Sequence, residues 1–394
     1  MAKPFMFEKP LGMRDTLPLL YETKAAIRKG MSEEITSWGY QFIETPALEY
    51  YETVGEASAI LDQQLFKLLD QQGHTLVLRP DMTAPIARVA ASKLLKEQIP
   101  LRLAYSENVY RAQQREGGRP AEFEQTGIEC IGYDSISADA EVISLLVSVL
   151  KKAGLDDFKV TIGHIGFLQE FFISILGNEH RASVLRKFLY EKNYVGYREH
   201  VKSLSLSSID KQRLLQFITL RGGRDTIRQA LGLLENGSGK AQLRELEELY
   251  VQLCDYGIED YISFDLTLVS HMSYYTGTLF EVYASGAGYT VGNGGRYDHL
   301  LEKFDFKAPA TGFAIRLDRV AEALGEPVQA QAIECVLFSP ERRKEALELA
   351  RTRRTQGVRV AMQDINAVQN VDAFIRTFTD VHYVIGKGGG KRDE

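Results

Sequence analysis

The sequence predicts an α+β protein with a mostly antiparallel sheet flanked by helices. Three observations carry that expectation. Segments of strand character stand on both sides of a stretch, about 166–257, that is helical almost throughout, so one sheet is interrupted by a helical insertion and then resumed. Two amphipathic stripes mark long helices ahead of that insertion. Beyond residue 327 strands and helices alternate, which predicts a separate small α/β domain. The expected organisation is a core over 1–325 and a C-terminal domain over 328–394. A chain of 394 residues, 44% of them hydrophobic, can bury a core in each.

The elements follow in order. Leu20, Ile27, Met31, Ile35 and Trp38 draw a stripe down one face of a first helix that Gly39 can close. Segments 40–44, 75–79, 101–111 and 123–132 are short, rich in branched and aromatic residues and bounded by Pro or Gly, and read as strands. Val142, Leu145, Leu146, Val149, Leu150 and Ala153 give the second stripe, ended by Gly154, and 158–165 reads as another strand. The helical stretch is punctuated at Gly177, at Gly222 and Gly223, and at 236–239. Strand character resumes at 261–269, 276–284, 289–292 and 311–317. The C-terminal alternation is strand 333–338, helix 342–356, strand 358–362, helix 371–378 and strand 381–385. The glycine- and lysine-rich tail from residue 386 precedes no helix whose N-terminus can hold an anion, so it reads as a frayed terminus.

Composition narrows the function classes. The 53 acids and 47 bases give a net charge of −6 with no long block of either sign, so no basic stripe points to nucleic acid. Cys130, Cys254 and Cys335 are odd in number and far apart, with no CxxC pair for zinc or a redox disulfide, which suits a reducing cytoplasm. Neither a signal-peptide core nor an apolar run of membrane-spanning length is present in the sequence.

Four clusters can carry chemistry. Strand 75–79 delivers Asp81 and Thr83 into a turn framed by Pro80 and Pro85; an acid and a hydroxyl can hold an ammonium group, and the same pair can equally cap the helix that follows. On the strand after the polar loop, period-two alternation puts Phe123, Gln125, Gly127 and Glu129 on one face, with Gly127 leaving room above the sheet. An acid, an amide and a gap point to a ligand, whereas the polar face of an edge hairpin would explain either polar residue alone. Tyr274 and Tyr275 enter a strand and should point to opposite faces, one into the core and one into a pocket. His271 beside them has no evident acid or nucleophile partner and reads as surface or structural. Gly294 and Gly295, ahead of Arg296 and Tyr297, permit close backbone approach to a ligand or tight packing of strands.

In this order, the clusters resemble the histidyl-tRNA synthetase family of class II aminoacyl-tRNA synthetases. The likeness covers roughly the first 320 residues. It includes Gly12 to Pro18, a dimer-forming first signature from Glu44 to Glu49, Arg111 in the second signature, and Gly312 to Arg319 in the third. Tyr-Tyr-Thr-Gly-Thr-Leu-Phe-Glu at 274–281 and Gly-Gly-Arg-Tyr-Asp at 294–298 are specific to the histidine branch. The resemblance implies a class II aminoacyl-tRNA synthetase-like antiparallel sheet of six or seven strands and dimerisation through the N-terminal part. It also implies a histidine pocket: Asp81, Thr83 and Gln125 on the ammonium, Arg111 on the carboxylate, Glu129 with Tyr275 on the imidazole, and Tyr274 and Tyr297 completing the walls. Such a set satisfies each buried group of a ligand that presents a cation, an anion and a ring with two nitrogens.

Three positions depart from the active members. Where those read Arg-Gly-Leu-Asp-Tyr-Tyr, residues 270–275 read Ser-His-Met-Ser-Tyr-Tyr, and a serine cannot steady the charge that develops when a carboxylate attacks ATP. Losing one such stabiliser costs about 10²–10³ in rate. Gln113 stands where an acid contacts adenosine, and Arg316 where a glycine leaves space for ATP. All three bear on ATP activation and spare the amino-acid pocket.

That selectivity resembles the regulatory subunits of two-component ATP phosphoribosyltransferases, the first enzyme of histidine biosynthesis. The resemblance implies no catalytic residue, no cofactor and no tRNA. It implies L-histidine as an allosteric feedback ligand, a short-form catalytic subunit as partner, and a homodimer within a hetero-octamer. The C-terminal domain is similar to a shortened anticodon-binding domain. Two alternatives stand beside this expectation: a divergent histidine–tRNA ligase, which would exchange pyrophosphate with ATP, and a tRNA-binding regulator, whose binding would be salt-sensitive.

Overall fold

The structure is a computed structural model that describes residues 6–96, 99–112, 120–235, 237–270, 274–325 and 332–386. It divides into two compact units, Met1–Glu326 and Pro327–Glu394.

The first unit opens with α1 (Pro18–Ser37), which starts on a proline, where the missing N–H costs nothing, and buries Thr23, Ile27, Met31 and Ile35 at four-residue spacing. Leu20, expected on that stripe, is exposed and lines an open groove with Phe123 and Arg316. Next come β1 (Gln41–Phe42), β2 (Leu48–Tyr50), β3 (Lys67–Leu69), β4 (Thr75–Leu78), α2 (Thr83–Val89), β5 (Leu101–Tyr110), β6 (Glu122–Ile131), α3 (Ile136–Lys152) and β7 (Phe158–His164). The helical stretch holds α4 (Ile165–Leu176), α5 (Glu179–Tyr190), α6 (Tyr194–Ser203), α7 (Ser208–Phe217), β8 (Arg221–Gly222), α8 (Asp225–Leu231) and α9 (Lys240–Asp255). It is followed by β9 (Ile262–Asp265), β10 (Thr278–Ala284), β11 (Gly292–Arg296), β12 (Ala310–Arg316) and α10 (Leu317–Leu324).

Among the described residues the main sheet has nine strands in the order β1-β5-β6-β12-β11-β10-β7-β9-β8. From β5 to β7 every pairing is antiparallel, while β1 lies parallel to β5 and β9 parallel to β7. The sheet is thus wider than the six or seven strands expected, and mixed at its edges. Two-residue strands extend both margins, and the helical excursion from α4 to α9 brings the chain back in the direction of β7, as a parallel neighbour requires. The excursion is not a detached appendage. Phe167, Phe171, Phe172 and Phe217 stack among themselves within the core cluster that contains α3, α9 packs on α3, and β8 closes one margin of the sheet.

Alternation along the strands gives the sheet two apolar faces. Ile128, Cys130, Phe280, Val282, Phe313 and Ile315 belong to the core formed with α1 and α3. Leu103, Tyr105, Val109, Phe123 and Leu279 belong to the opposite core, with Met82 and Ile86. Strand β11 was expected at 289–292 and instead runs over Gly292–Arg296. Its glycines serve tight strand packing: a Cβ at Gly294 would collide with the Gly312 carbonyl and the Phe280 ring.

A small antiparallel sheet, β2-β4-β3, was not anticipated, since three-residue strands are too short to show a period of two. It holds the turn that follows β4. Arg79, 4% exposed, donates to the Thr45 carbonyl at 2.6 Å and the Asn108 carbonyl at 2.9 Å, and pairs with Glu107 at 2.5 Å.

The C-terminal unit contains β13 (Ile333–Phe338), α11 (Arg343–Thr355), β14 (Arg359–Asp364), α12 (Val371–Ile375) and β15 (Asp380–Val384). Its parallel sheet has the order β14-β13-β15 over a core of Val336, Phe338, Ala346, Ala350, Val360 and Val384. Helix α12 stops three residues short of the expected 378. The tail beyond Gly386 lies outside the described residues.

Candidate functional site

Two interior strands, the turn after β4 and the glycine-rich strand β11 converge on one cavity. Its lining includes Asp81, Thr83, Arg111, Gln125, Glu129, Tyr274, Tyr275 and Tyr297, so the structure brings together the eight residues that the family resemblance implies for a histidine pocket. The cavity is partly open to solvent.

Glu129 anchors one end. Only 2% exposed, it takes the Thr83 hydroxyl on Oε1 at 2.7 Å and the Tyr297 hydroxyl on Oε2. Burial pushes its carboxyl up to about 8 against the pull of those two donors, and Asp81 adds repulsion. Opposite Glu129 in the β6–β12 register stands Gly312, where a Cβ would run into the Glu129 carboxylate. Glycine there is the condition for the acid to lie flat against the sheet.

Asp81, also in the lining, reconciles its two sequence readings. Its Oδ1 accepts the Ala84 N–H at 3.0 Å and so caps the first turn of α2. Its Oδ2 is buried and has no hydrogen-bond donor among the described residues. Burial raises the Asp81 carboxyl above its ordinary value, with Arg111 opposing. An acceptor buried without a donor costs free energy unless a ligand supplies one. Arg111 donates from Nε to the Pro80 carbonyl at 2.8 Å and lies over the Phe123 ring at 5.4 Å, so the turn that carries Asp81 also fixes the cation. Gln125, 5% exposed, lies on the interior strand β6. The edge-hairpin explanation for Gln125 and Glu129 therefore fails.

Two expectations need correction. Tyr274 and Tyr275 do not alternate across a sheet: β10 begins only at Thr278, and both rings, 5.0 Å apart at 65°, turn into the cavity. The room expected above Gly127 is taken by Tyr105, since a Cβ at Gly127 would strike the Tyr105 hydroxyl. Sequence reasoning missed Tyr105 and Asn293 as lining residues. Tyr105 faces Gly127 across the β5–β6 ladder, and Asn293 donates to the Tyr275 hydroxyl at 3.5 Å. The pairing of bulky Tyr105 with Gly127 is set by the ladder, so neither residue carried a local signal. His271 and Gln113 lie outside the described residues.

Arg316 lines the open groove that holds Leu20 and Phe123, not the cavity itself. Opposite Gln125 in the ladder, its guanidinium sits 3.7 Å over the Phe123 ring and is held by Asp318 at 2.9 Å.

An antiparallel sheet backed by α1 and α3, with a cavity on its other face, is the architecture of a class II aminoacyl-tRNA synthetase. The crystal structure of histidyl-tRNA synthetase from Nostoc sp. PCC 7120 matches the fold with a TM-score of 0.79 over 95% of this chain and 89% of that one, at 20% identity. The family model for histidyl-tRNA synthetase matches residues 12–320, and that for the C-terminal domain of histidyl-tRNA synthetase HisZ matches 335–386. ATP phosphoribosyltransferase regulatory subunits from Geobacillus sp. (strain WCH70) and Bacillus subtilis (strain 168) are 63% and 58% identical, over 98% and 97% of this chain and 98% of each relative. A crystal structure described as an ATP phosphoribosyltransferase regulatory subunit/histidyl-tRNA synthetase from Bacillus halodurans C matches with a TM-score of 0.94 at 59% identity, covering 98% of this chain and all of that one. The chain belongs to the ATP phosphoribosyltransferase regulatory subunit family.

Proposed function

We propose that the chain is the non-catalytic regulatory subunit of an ATP phosphoribosyltransferase, required by a short-form catalytic subunit and conferring feedback inhibition by L-histidine on the first step of histidine biosynthesis. The observation that carries the histidine part is the buried Oδ2 of Asp81, which has no donor among the described residues, in a cavity that also holds Arg111 and Glu129. In this reading the ligand ammonium meets Asp81, Thr83 and Gln125, its carboxylate meets Arg111, and its ring lies between Glu129 and Tyr275, against Tyr274 and Tyr297. No cofactor takes part.

Activation of histidine with ATP is lost in this reading. Arg316, a glycine in active synthetases by the family resemblance, fills space a nucleotide needs by stacking on Phe123 and pairing with Asp318. Ser270 in place of the charge-steadying arginine, and Gln113 in place of an acid, remove two further contacts. The subunit dimerises through its N-terminal core, enters a hetero-octamer in the cytoplasm, and does not bind tRNA. Among the described residues no helix is long and apolar enough to cross a membrane.

Reconstitution tests the proposal. Mixed with a short-form catalytic subunit that is inactive alone, the chain should restore phosphoribosyl-ATP synthesis, and histidine should then inhibit it. Glu129→Ala and Tyr275→Phe should restore synthesis but demand at least about tenfold more histidine for inhibition, the equivalent of one lost buried hydrogen bond. Synthesis that histidine inhibits equally in both variants would place the ligand elsewhere, and histidine-dependent pyrophosphate exchange by the chain alone would overturn the non-catalytic reading.

A further inference from the structure

The imidazole end of the cavity is a buried acid held by hydroxyls, and its charge must be balanced by whatever it binds. We propose that the cavity holds histidine with a single proton shared between the Glu129 carboxyl and the ligand ring, so that binding is linked to proton uptake or release outside a neutral window. This rests on the histidine reading above and adds the protonation state of the complex.

The geometry supplies the argument. Thr83 from α2 and Tyr297 from beyond β11 each donate to one Glu129 oxygen, and the Gly312 backbone closes off the sheet side. The other titratable groups whose charge bears on Glu129 are Asp81 from the turn before α2, Tyr105 from β5, and Tyr274 and Tyr275 from the loop before β10. None of these carries a positive charge. With a histidine bound, its ammonium pairs with Asp81 and its carboxylate with Arg111. That leaves Glu129 facing the ring with no counter-charge, and a net buried charge is expensive where water is excluded. One proton removes the imbalance, whether written as a carboxylic acid donating to a neutral ring or as a carboxylate accepting from an imidazolium.

The proton count follows. Burial lifts the empty site's carboxyl to about 8, while the ligand's ring in solution titrates near about 6.5. Between those values the acid is already protonated and the ring neutral, so binding moves no proton. Above about 8 both partners are bare and one proton is taken up; below about 6.5 both carry one, and one is released. Affinity should therefore be highest between the two and fall towards tenfold per pH unit on either side.

Calorimetric titration with L-histidine in buffers of different ionisation enthalpy reads the proton count directly. At about pH 7 the wild-type chain should bind histidine with almost no proton exchange, and at about pH 8.5 it should take up most of one proton more than Glu129→Gln, in which any remaining uptake belongs to the ligand's own amine. Tyr297→Phe removes a donor that favours the ionised form, so it should move the alkaline fall in affinity to higher pH, a displacement that mere loosening of the pocket would not produce. Equal uptake in wild type and Glu129→Gln, or an alkaline limb that stays in place in Tyr297→Phe, would overturn the shared proton while leaving histidine binding intact. Absence of any binding at about pH 7 would instead overturn the histidine reading itself.

Discussion

At the scale of single residues, Glu129 also controls how the unliganded protein responds to pH. Its carboxyl titrates near 4.5 in an unfolded chain and is raised to about 8 in the fold. Between those values the native state holds a proton that the unfolded state has lost, so stability falls as pH rises across that window and levels off above it. In Glu129→Gln the slope contributed by this group vanishes. Urea unfolding at about pH 5 and about pH 8 should show the wild type losing more stability between the two than the variant; equal losses would mean that Glu129 titrates normally. The residues of this site were legible from the sequence to the extent that each carries its own chemistry. Asp81 stands out in a turn framed by prolines, and Gln125 and Glu129 as an amide and an acid that share a strand face with Gly127, whereas Tyr105 and Asn293 enter only because the ladders β5–β6 and β11–β12 bring them there.

At the scale of elements, the cavity depends on a clamp behind it. Asp139 of α3 takes the Nε of Arg296, at the end of β11, at 3.0 Å, and the same guanidinium donates to the Ser135 carbonyl at 2.9 Å. Asp298 receives the Thr276 hydroxyl at 3.2 Å and the Ala310 N–H at 3.3 Å. One helix is thereby tied to the start of β12 and to the loop carrying Tyr274 and Tyr275. Removing one member of a buried pair leaves the other uncompensated, so Asp139→Ala should lower the unfolding free energy by about 3 kcal/mol in a urea titration. An unchanged midpoint would show that Asp298 alone satisfies Arg296. The long helices were legible because ten or more residues repeat a period, and the interior strands because they are rich in branched and aromatic residues; β6 is buried almost throughout and shows no alternation of burial. Strands β1, β2, β3 and β8 span two or three residues, and their pairing is set by neighbours distant in sequence, so no local pattern could fix their partners or predict the small sheet.

For the whole molecule, ligand and fold are thermodynamically linked. A histidine that binds only the native chain should raise the melting temperature progressively with concentration, by the equivalent of about 2.7 kcal/mol at a hundredfold excess over its Kd. Asp81→Asn, which keeps a capping oxygen but loses the charge facing the ammonium, should blunt that rise, as thermal scans at increasing histidine would reveal. The two-unit division was legible because the alternation of the C-terminal unit differs from the pattern before it. The order of strands in the main sheet was not, and it has a consequence for biogenesis. Strand β12 inserts between β6 and β11, after the entire helical excursion has been synthesised. A chain that stops before Ala310 carries Glu129 on β6 and Asn293 on β11 but lacks the strand that pairs with both. The two halves of the sheet, and the cavity residues they carry, are therefore joined by backbone hydrogen bonds only through the strand of that sheet made last.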